Sequence, residues 1–387
     1  MHARRRVALL GATGSIGTQT LDVLRREPDA FELVAIAGGS RLEQLALIAE
    51  EFKVGHVGVA SEDDRVELVA RLDGHAEVVT GPEGLAQLAR DADVVVNAVM
   101  GFAGLPVTLA TLEAGNRLAL ANKESLIAAA PLVERVRHTP GALMLPVDSE
   151  HCAIHQCLAG AGDAPGHPDV RRLLLTASGG PFRGWSADRL ATVTKVDALH
   201  HPTWSMGPKI TVDSSTLMNK GLEVLEASAL FGVEVGRIDI VVHPQSIVHS
   251  MVEFVDGSVV AQLSRPDMRL PIAYCLGLPD RLAHGWGALD FTDTLSLSFE
   301  PPDLGAFRAP RLAYAAAARG GAAPAWLSAA NEVAVDAFLN DRLGWNDIVP
   351  VVASVMDDYV DDPLSSLESV MANDAEARRR ASKLVSI

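Results

Sequence analysis

The chain has 387 residues, more than one ordinary domain needs, and 48% of them are hydrophobic, enough to bury sizeable cores. A formal net charge of −16 argues against a nucleic-acid or membrane-surface protein, so an anionic ligand would need a local basic or metal site. Three cysteines (Cys152, Cys157 and Cys275) form no disulfide framework and no CxxC, which points to a reducing, cytoplasmic location.

Arg4-Arg5-Arg6 is followed only by Val7 to Leu10 before Gly11, too short an apolar run for a signal peptide. Arg6 to Leu10 reads as a buried strand, Gly11-Ala12-Thr13-Gly14-Ser15-Ile16-Gly17 as a Gly-rich turn, and the next residues to about Arg26 as a helix. Strand, glycine turn and helix N-terminus are the opening of a dinucleotide-binding domain, although the spacing is GxxGxxG and a plain tight turn competes. The second strand, Phe31 to Ala37, ends in Gly38-Gly39-Ser40-Arg41. A hydroxyl and an arginine stand where NAD sites carry an acidic residue, so NADP(H) is favoured.

Helices over 42–52, 62–72, 83–90, 105–114 and 123–137 then alternate with strands over 56–60, 76–79, 93–99, 117–120 and 142–147. That alternation implies a parallel sheet covered on both faces. The charge-free run Val94 to Leu112 is long enough to span a bilayer. Asn97, Gly101, Gly104 and Pro106 interrupt it, so it reads as strand, loop and helix, and no membrane association is expected.

Ala121-Asn122-Lys123-Glu124 follows a strand end, where such sheets bind ligands, but Asn122 also suits a helix N-cap. Asp148-Ser149-Glu150-His151 follows the 142–147 strand. If that strand persists, Asp148 and Glu150 face one way and offer a hard cation two carboxylates; the competing reading is a cap on helix 151–159. HExxH order is absent, so a zinc site is not indicated, and the cysteines read as packing residues. After strand 171–176, Ser178-Gly179-Gly180 is either a phosphate nest or a plain turn.

The most informative run is HPTWSMGPKITVDSSTLMNKGLE, His201 to Glu223. It begins as a loop in which Trp204 and Met206 suggest a lid, with a core tryptophan as the alternative. Lys209 to Val212 reads as a short strand, Asp213-Ser214-Ser215 as a helix start, and Thr216 to about Gly232 as a helix. On that helix Thr216, Asn219, Lys220 and Glu223 share a face, giving either an anion and cation site or a solvated Lys–Glu pair. Strands at 238–242, 247–255 and 258–263, with a turn at Asp256-Gly257, complete an α+β region.

GATGSIG, ANKESL, DSEH, TASGGPFR, HPTWSMGPKIT, DSSTLMNKGLE and HPQSIVHSMVEF, in this order and spread over essentially the whole chain, resemble the 1-deoxy-D-xylulose 5-phosphate reductoisomerase family. The resemblance fits the domain division read from the elements: an α/β protein with an N-terminal Rossmann-like NADP-binding domain (1–147), a central α+β catalytic domain (148–276), a linker rich in Pro, Gly, Trp and Asp (277–305) and a C-terminal helical domain with Ala-rich patterns (306–387). It implies conversion of 1-deoxy-D-xylulose 5-phosphate and NADPH to 2-C-methyl-D-erythritol 4-phosphate, a step of isoprenoid-precursor synthesis, with Mg²⁺, Mn²⁺ or Co²⁺ as the divalent metal.

Carried over by motif, the metal ligands are Asp148, Glu150 and Glu223. The substrate is held by Lys123, Ser149, Glu150, Ser178, His201, Ser214, Asn219, Lys220 and Glu223, with Lys123, Glu124 and His201 nearest the chemistry. Trp204 and Met206 close over it. Thr13, Gly14, Ser15 and Ile16 cradle the cofactor phosphates, and Gly38, Gly39, Ser40, Asn122, Glu124 and Gly207 complete the cofactor contacts. Gly39 stands where many relatives carry a basic residue, so 2′-phosphate recognition leans on Ser40, Arg41 or backbone. A homodimer is implied, with the 247–263 hairpin as its surface. A simple NADP-dependent dehydrogenase would leave the three carboxylates surplus, and a non-catalytic NADP-binding module would leave the lid without purpose.

Overall fold

A computed structural model describes residues 4–159, 167–204, 206–292 and 294–385. The alternating part runs β1 (Arg5–Leu10), α1 (Ser15–Arg26), β2 (Phe31–Ala37), α2 (Leu42–Phe52), β3 (His56–Val59), α3 (Glu62–Leu72), β4 (Glu77–Thr80), α4 (Gly81–Arg90), β5 (Val94–Asn97), α5 (Leu105–Glu113), β6 (Arg117–Leu120), α6 (Lys123–Val136), β7 (Leu143–Pro146) and α7 (Ser149–Leu158). There follow β8 (Val170–Ala177), α8 (Ala187–Leu190), α9 (Lys195–Ala198), α10 (Pro208–Thr216), α11 (Met218–Phe231), β9 (Ile238–Val242), β10 (Val248–Phe254), β11 (Val259–Leu263) and α12 (Arg269–Gly277). The chain closes with α13 (Ala309–Arg319), α14 (Ala323–Leu339), α15 (Trp345–Asp357) and α16 (Leu367–Val385).

The chain forms two compact units. The first comprises Met1–Ser125, Leu132–Cys152 and Asp267–Gly287; the second comprises Leu126–Pro131, Ala153–Pro266 and Ala288–Ile387.

In the first unit the seven strands are parallel, in the order β4-β3-β2-β1-β5-β6-β7. Successive side chains of a strand point to opposite faces, so Val7 and Leu9 enter one core while Ala8 and Leu10 enter another. Val94 and Val96 divide from Val95 in the same way. Burial on both faces explains why these strands read as continuous apolar runs. The order reverses between β1 and β5, the switch point at whose carboxyl edge doubly wound sheets bind ligands.

The stretch expected to be a linker from 277 does not begin as one. Residues 267–287 return to the first unit, where Ile272, Leu276 and Trp286 join its core and the Arg5 guanidinium donates to the carbonyls of Leu276 and Gly277. Its Pro, Gly and Trp content reads as linker only until Trp286 is seen buried.

The second unit holds a mixed sheet, β11-β10-β8-β9, with β8 and β9 parallel and the other pairs antiparallel. The turn at Asp256-Gly257 joins β10 to β11 as expected. Leu173, Leu175, Ile238, Ile240 and Val252 of the sheet pack with Val224 and Ala227 of α11. The C-terminal region is helical as expected, but it belongs to this second unit, with α13 against α11 and α14 against α10.

Two local expectations fail in the 201–223 run. Lys209 to Val212 is helix, not strand, and Asp213-Ser214-Ser215 lies near the end of α10 rather than at a helix start. Gly207 is extended and Pro208 takes the first helical position, where its fixed φ costs nothing. The β-branched Ile210, Thr211 and Val212 favour strand only weakly, and packing of α10 on α14 overrides them. The break comes later, at Leu217, whose φ of 59° separates α10 from α11.

Candidate active site

The first unit contributes a carboxyl-edge cluster. Gly11 has φ 98°, and a Cβ there would fall 2.3 Å from the Ala98 carbonyl oxygen, so only glycine lets the chain turn from β1 against β5. Gly14 caps α1, whose first turn carries Ser15 and Ile16, and Thr13 is buried just before it. The backbone N–H groups of that turn are the donors a pyrophosphate needs. Gly38 lies beside Leu45 and Thr13, whereas Gly39 meets nothing and Ser40 and Arg41 are exposed.

Asn122 caps α6: its oxygen accepts from Ser125 N at 2.9 Å, and its amide donates to the carbonyls of Val99 and Gly101. The cap reading therefore describes its side chain, which also ties β6 to the loop after β5. Lys123 and Glu124 follow in the first helical turn.

The strand does not persist past Pro146, so Asp148 and Glu150 are not alternating strand residues. Asp148 instead precedes α7 and accepts from Glu150 N at 3.2 Å, the competing cap reading. Cap and cluster turn out to be the same residues. The buried Lys123 ammonium lies 2.5 Å from Asp148 Oδ2, and His151 Nδ1 lies 3.3 Å from Oδ1. Ser149 donates to Glu150 at 2.5 Å. Carboxylate oxygens are the donors that Mg²⁺ or Mn²⁺ prefers.

The second unit brings its own polar residues together. Gly180 has φ 70°, and a Cβ on it would fall 2.5 Å from the Ser214 carbonyl oxygen. Glycine there lets the Ser178-Gly179-Gly180 turn lie against α10, bringing Ser178 and Ser214 into one neighbourhood. Ser178 Oγ accepts from Gly180 N at 3.1 Å and stands 3.1 Å from His201 Nε2. His201 Nδ1 accepts from the backbone N–H groups of Thr203 (3.1 Å) and Trp204 (2.9 Å). A neutral imidazole accepting at Nδ1 carries its proton on Nε2, aimed at Ser178.

One side chain thus shapes the loop and addresses the site. Trp204 is half-buried and edge-on to the His249 ring at 6.1 Å. Met206 is half-buried and Gly207 exposed.

On α11, Asn219 donates to Glu223 at 2.5 Å and the Lys220 ammonium pairs with the same carboxylate, all on one face as the spacing required. Lys220 and Glu223 are buried, which removes the solvated-pair reading. Thr216 is used internally, its hydroxyl bonding to Asp213 O and Met218 N.

Sequence reasoning passed over four residues that support this cluster: His243, His249, Asn331 and Trp345. The two histidines sat in view within HPQSIVHSMVEF. His243 accepts from the N–H groups of Ile247 and Val248 and so fixes the bend into β10. Asn331 and Trp345, more than a hundred residues from the site in sequence, carry no local signal.

On α7, burial lowers the pKa of His155 and pushes the Cys157 thiol up to about 11. Cys152, Cys157 and Cys275 are all buried, and Cys275 donates to the Pro146 carbonyl, in keeping with packing roles.

Comparison with known proteins decides the family. Three family profiles match: 1-deoxy-D-xylulose 5-phosphate reductoisomerase over residues 7–130, its C-terminal domain over 144–231, and the DXP reductoisomerase C-terminal domain over 263–380. A 1-deoxy-D-xylulose 5-phosphate reductoisomerase of Beutenbergia cavernae is 52% identical over 98% of this chain and 97% of its own. The chain belongs to the 1-deoxy-D-xylulose 5-phosphate reductoisomerase family.

Solved structures agree. The reductoisomerase of Zymomonas mobilis in complex with NADPH is 43% identical, with a TM-score of 0.91 over 99% of each chain. A DOX-P reductoisomerase in complex with NADPH, fosmidomycin and magnesium is 40% identical, with a TM-score of 0.92 over 99% of this chain and 98% of the other. The reductoisomerase fold thus extends over both units, and the Rossmann-like sheet and helical C-terminal region expected from the sequence are those of the family. Among the described residues no helix is long and apolar enough to cross a membrane.

Proposed function

We infer that this protein rearranges the carbon skeleton of 1-deoxy-D-xylulose 5-phosphate and reduces the resulting aldehyde with NADPH, releasing 2-C-methyl-D-erythritol 4-phosphate and NADP. Near-complete coverage by reductoisomerase relatives is the observation that carries this reading.

The residue roles are our proposal. The turn from Thr13 to Ile16 receives the cofactor phosphates on backbone N–H groups; Gly38, Gly39, Ser40, Asn122, Glu124 and Gly207 complete that contact. Ser178, Ser214, Asn219 and Lys220 hold the substrate phosphate, with His201 donating from Nε2, and so orient the reacting carbons. Asp148, Glu150 and Glu223 supply the oxygens for one divalent cation. Asp148 is paired with the buried Lys123 and Glu223 with the buried Lys220. When bound, such a cation polarises the substrate carbonyl as a Lewis acid. Lys123, Glu124 and Ser149 lie beside the carboxylates and reach the substrate oxygens. The 201–207 loop, with Trp204 and Met206 at its centre, closes over the substrate and excludes water while the aldehyde awaits hydride.

The finer properties follow the same reading: Mn²⁺ serves as well as Mg²⁺, the protein works in the cytoplasm, and two copies associate through the β10–β11 hairpin, where Val255, Val259 and Val260 are exposed.

Incubation with the sugar phosphate, NADPH and Mg²⁺ tests the reaction itself. NADPH should be consumed and 2-C-methyl-D-erythritol 4-phosphate should appear by NMR in equal amount. NADPH consumption with an unrearranged product would instead mark a simple dehydrogenase.

A further inference from the structure

Asp213-Ser214-Ser215 is gripped from both sides. The buried Asp213 carboxylate takes a hydrogen bond from Asn331 Nδ2 of α14 at 2.8 Å and pairs with Lys209 Nζ at 2.9 Å. Ser215, fully buried, donates to Val212 O at 2.6 Å and accepts from Trp345 Nε1 at 2.8 Å. Ser214 between them is the only one of the three that is not buried. Its backbone lies against Gly180, and the chain leaves the helix three residues later, at Leu217.

A residue in the last turn of a helix, just before a left-handed break, has little helix beyond it to fix its position. Here the two neighbours are fixed by side chains from α14 and the start of α15. Both bonds are buried, and removing one partner leaves a desolvated polar group behind.

We propose that Asn331 and Trp345 are positioning residues. Acting through Asp213 and Ser215, they set the place of the Ser214 hydroxyl toward the substrate phosphate and make the C-terminal helices part of substrate recognition. This rests on the reading of Ser214 as a phosphate-holding residue.

The test compares Asn331→Ala and Trp345→Phe with the parent, in the intact protein with Mg²⁺. Asn331→Ala should raise KM for 1-deoxy-D-xylulose 5-phosphate by roughly tenfold, the loss expected for a hydrogen bond to a charged group. Its KM for NADPH should stay within about twofold, because no cofactor contact depends on this bond. Trp345→Phe keeps an aromatic ring against Phe182 but removes the indole donor and part of the side-chain volume, so it should show the same split, smaller, with native circular dichroism. It reads the proposal if Asn331→Ala does not fold.

The exchange Asp213→Asn with Asn331→Asp reverses the bond and should recover most of the sugar-phosphate KM relative to Asn331→Ala. An unchanged sugar-phosphate KM in either folded single variant would overturn the proposal. So would equal loss for sugar phosphate and NADPH, or an exchange no better than Asn331→Ala. A parent protein that does not turn the sugar phosphate over would overturn the functional reading instead.

Discussion

Asp148 shows how much one side chain is asked to do. It caps α7, takes the Lys123 ammonium and faces His151. If it also binds the cation, Asp148→Ala should cost on the order of a thousandfold in turnover, the worth of a Lewis acid of several kcal/mol. Steady-state NADPH oxidation measures this, and near-parental turnover would remove Asp148 from the ligand set.

His155 makes a different prediction. Burial lowers its pKa below the ordinary value of 6.5, so the unfolded chain binds its proton more readily than the folded one. Above pH 6.5 both states are neutral and stability is full; as pH falls through 6.5, the unfolded state gains protons first and stability drops. Chemical denaturation between pH 7.5 and 5.5 should therefore show a loss in the parent that His155→Phe reduces. Equal slopes in the two proteins would contradict this. The Cys157 thiol, held at about 11, should resist alkylation at pH 8 until the protein is unfolded.

At the scale of elements, the βαβ alternation could be read because each strand is an apolar run and each helix is punctuated by Gly, Asn, Asp or Pro. The Gly-rich and carboxylate-bearing segments could be singled out because they lie at strand ends and on one face of α11. Three things could not. Lys209 to Val212 looked like strand because β-branched residues give no sign of the α14 surface that holds them in a helix. Residues 277–287 looked like linker because Trp286 declares itself as core only by its burial. Asn331 and Trp345 reach the site only through tertiary contacts.

The loop from His201 to Gly207 gives this scale its test. Trp204 is half-buried and leans on His249, so Trp204→Ala should lower kcat and raise the sugar-phosphate KM while leaving NADPH affinity nearly intact. Fluorescence titration of NADPH beside kinetics separates these, and equal losses would make the loop a plain structural element.

At the scale of the whole molecule, the acidic chain (−16) binds an anionic substrate and an anionic cofactor. On the roles proposed above, the buried Lys123 and Lys220, helix N-termini and a divalent cation supply the local positive charge that the global field denies. The exposed valines of the β10–β11 hairpin bear on assembly: light scattering should report a dimer, and Val260→Asp should shift it toward monomer. A monomeric parent would remove the hairpin from that role.

On the proposed assignment Asp148, Glu150 and Glu223 serve one cation. Titration of the metal-free protein with Mn²⁺, followed by electron paramagnetic resonance, tests it without any turnover. One site should fill in the parent and be lost or weakened roughly a hundredfold or more in both Asp148→Ala and Glu223→Ala, each folded by circular dichroism. Parental Mn²⁺ affinity in either variant would contradict the claim.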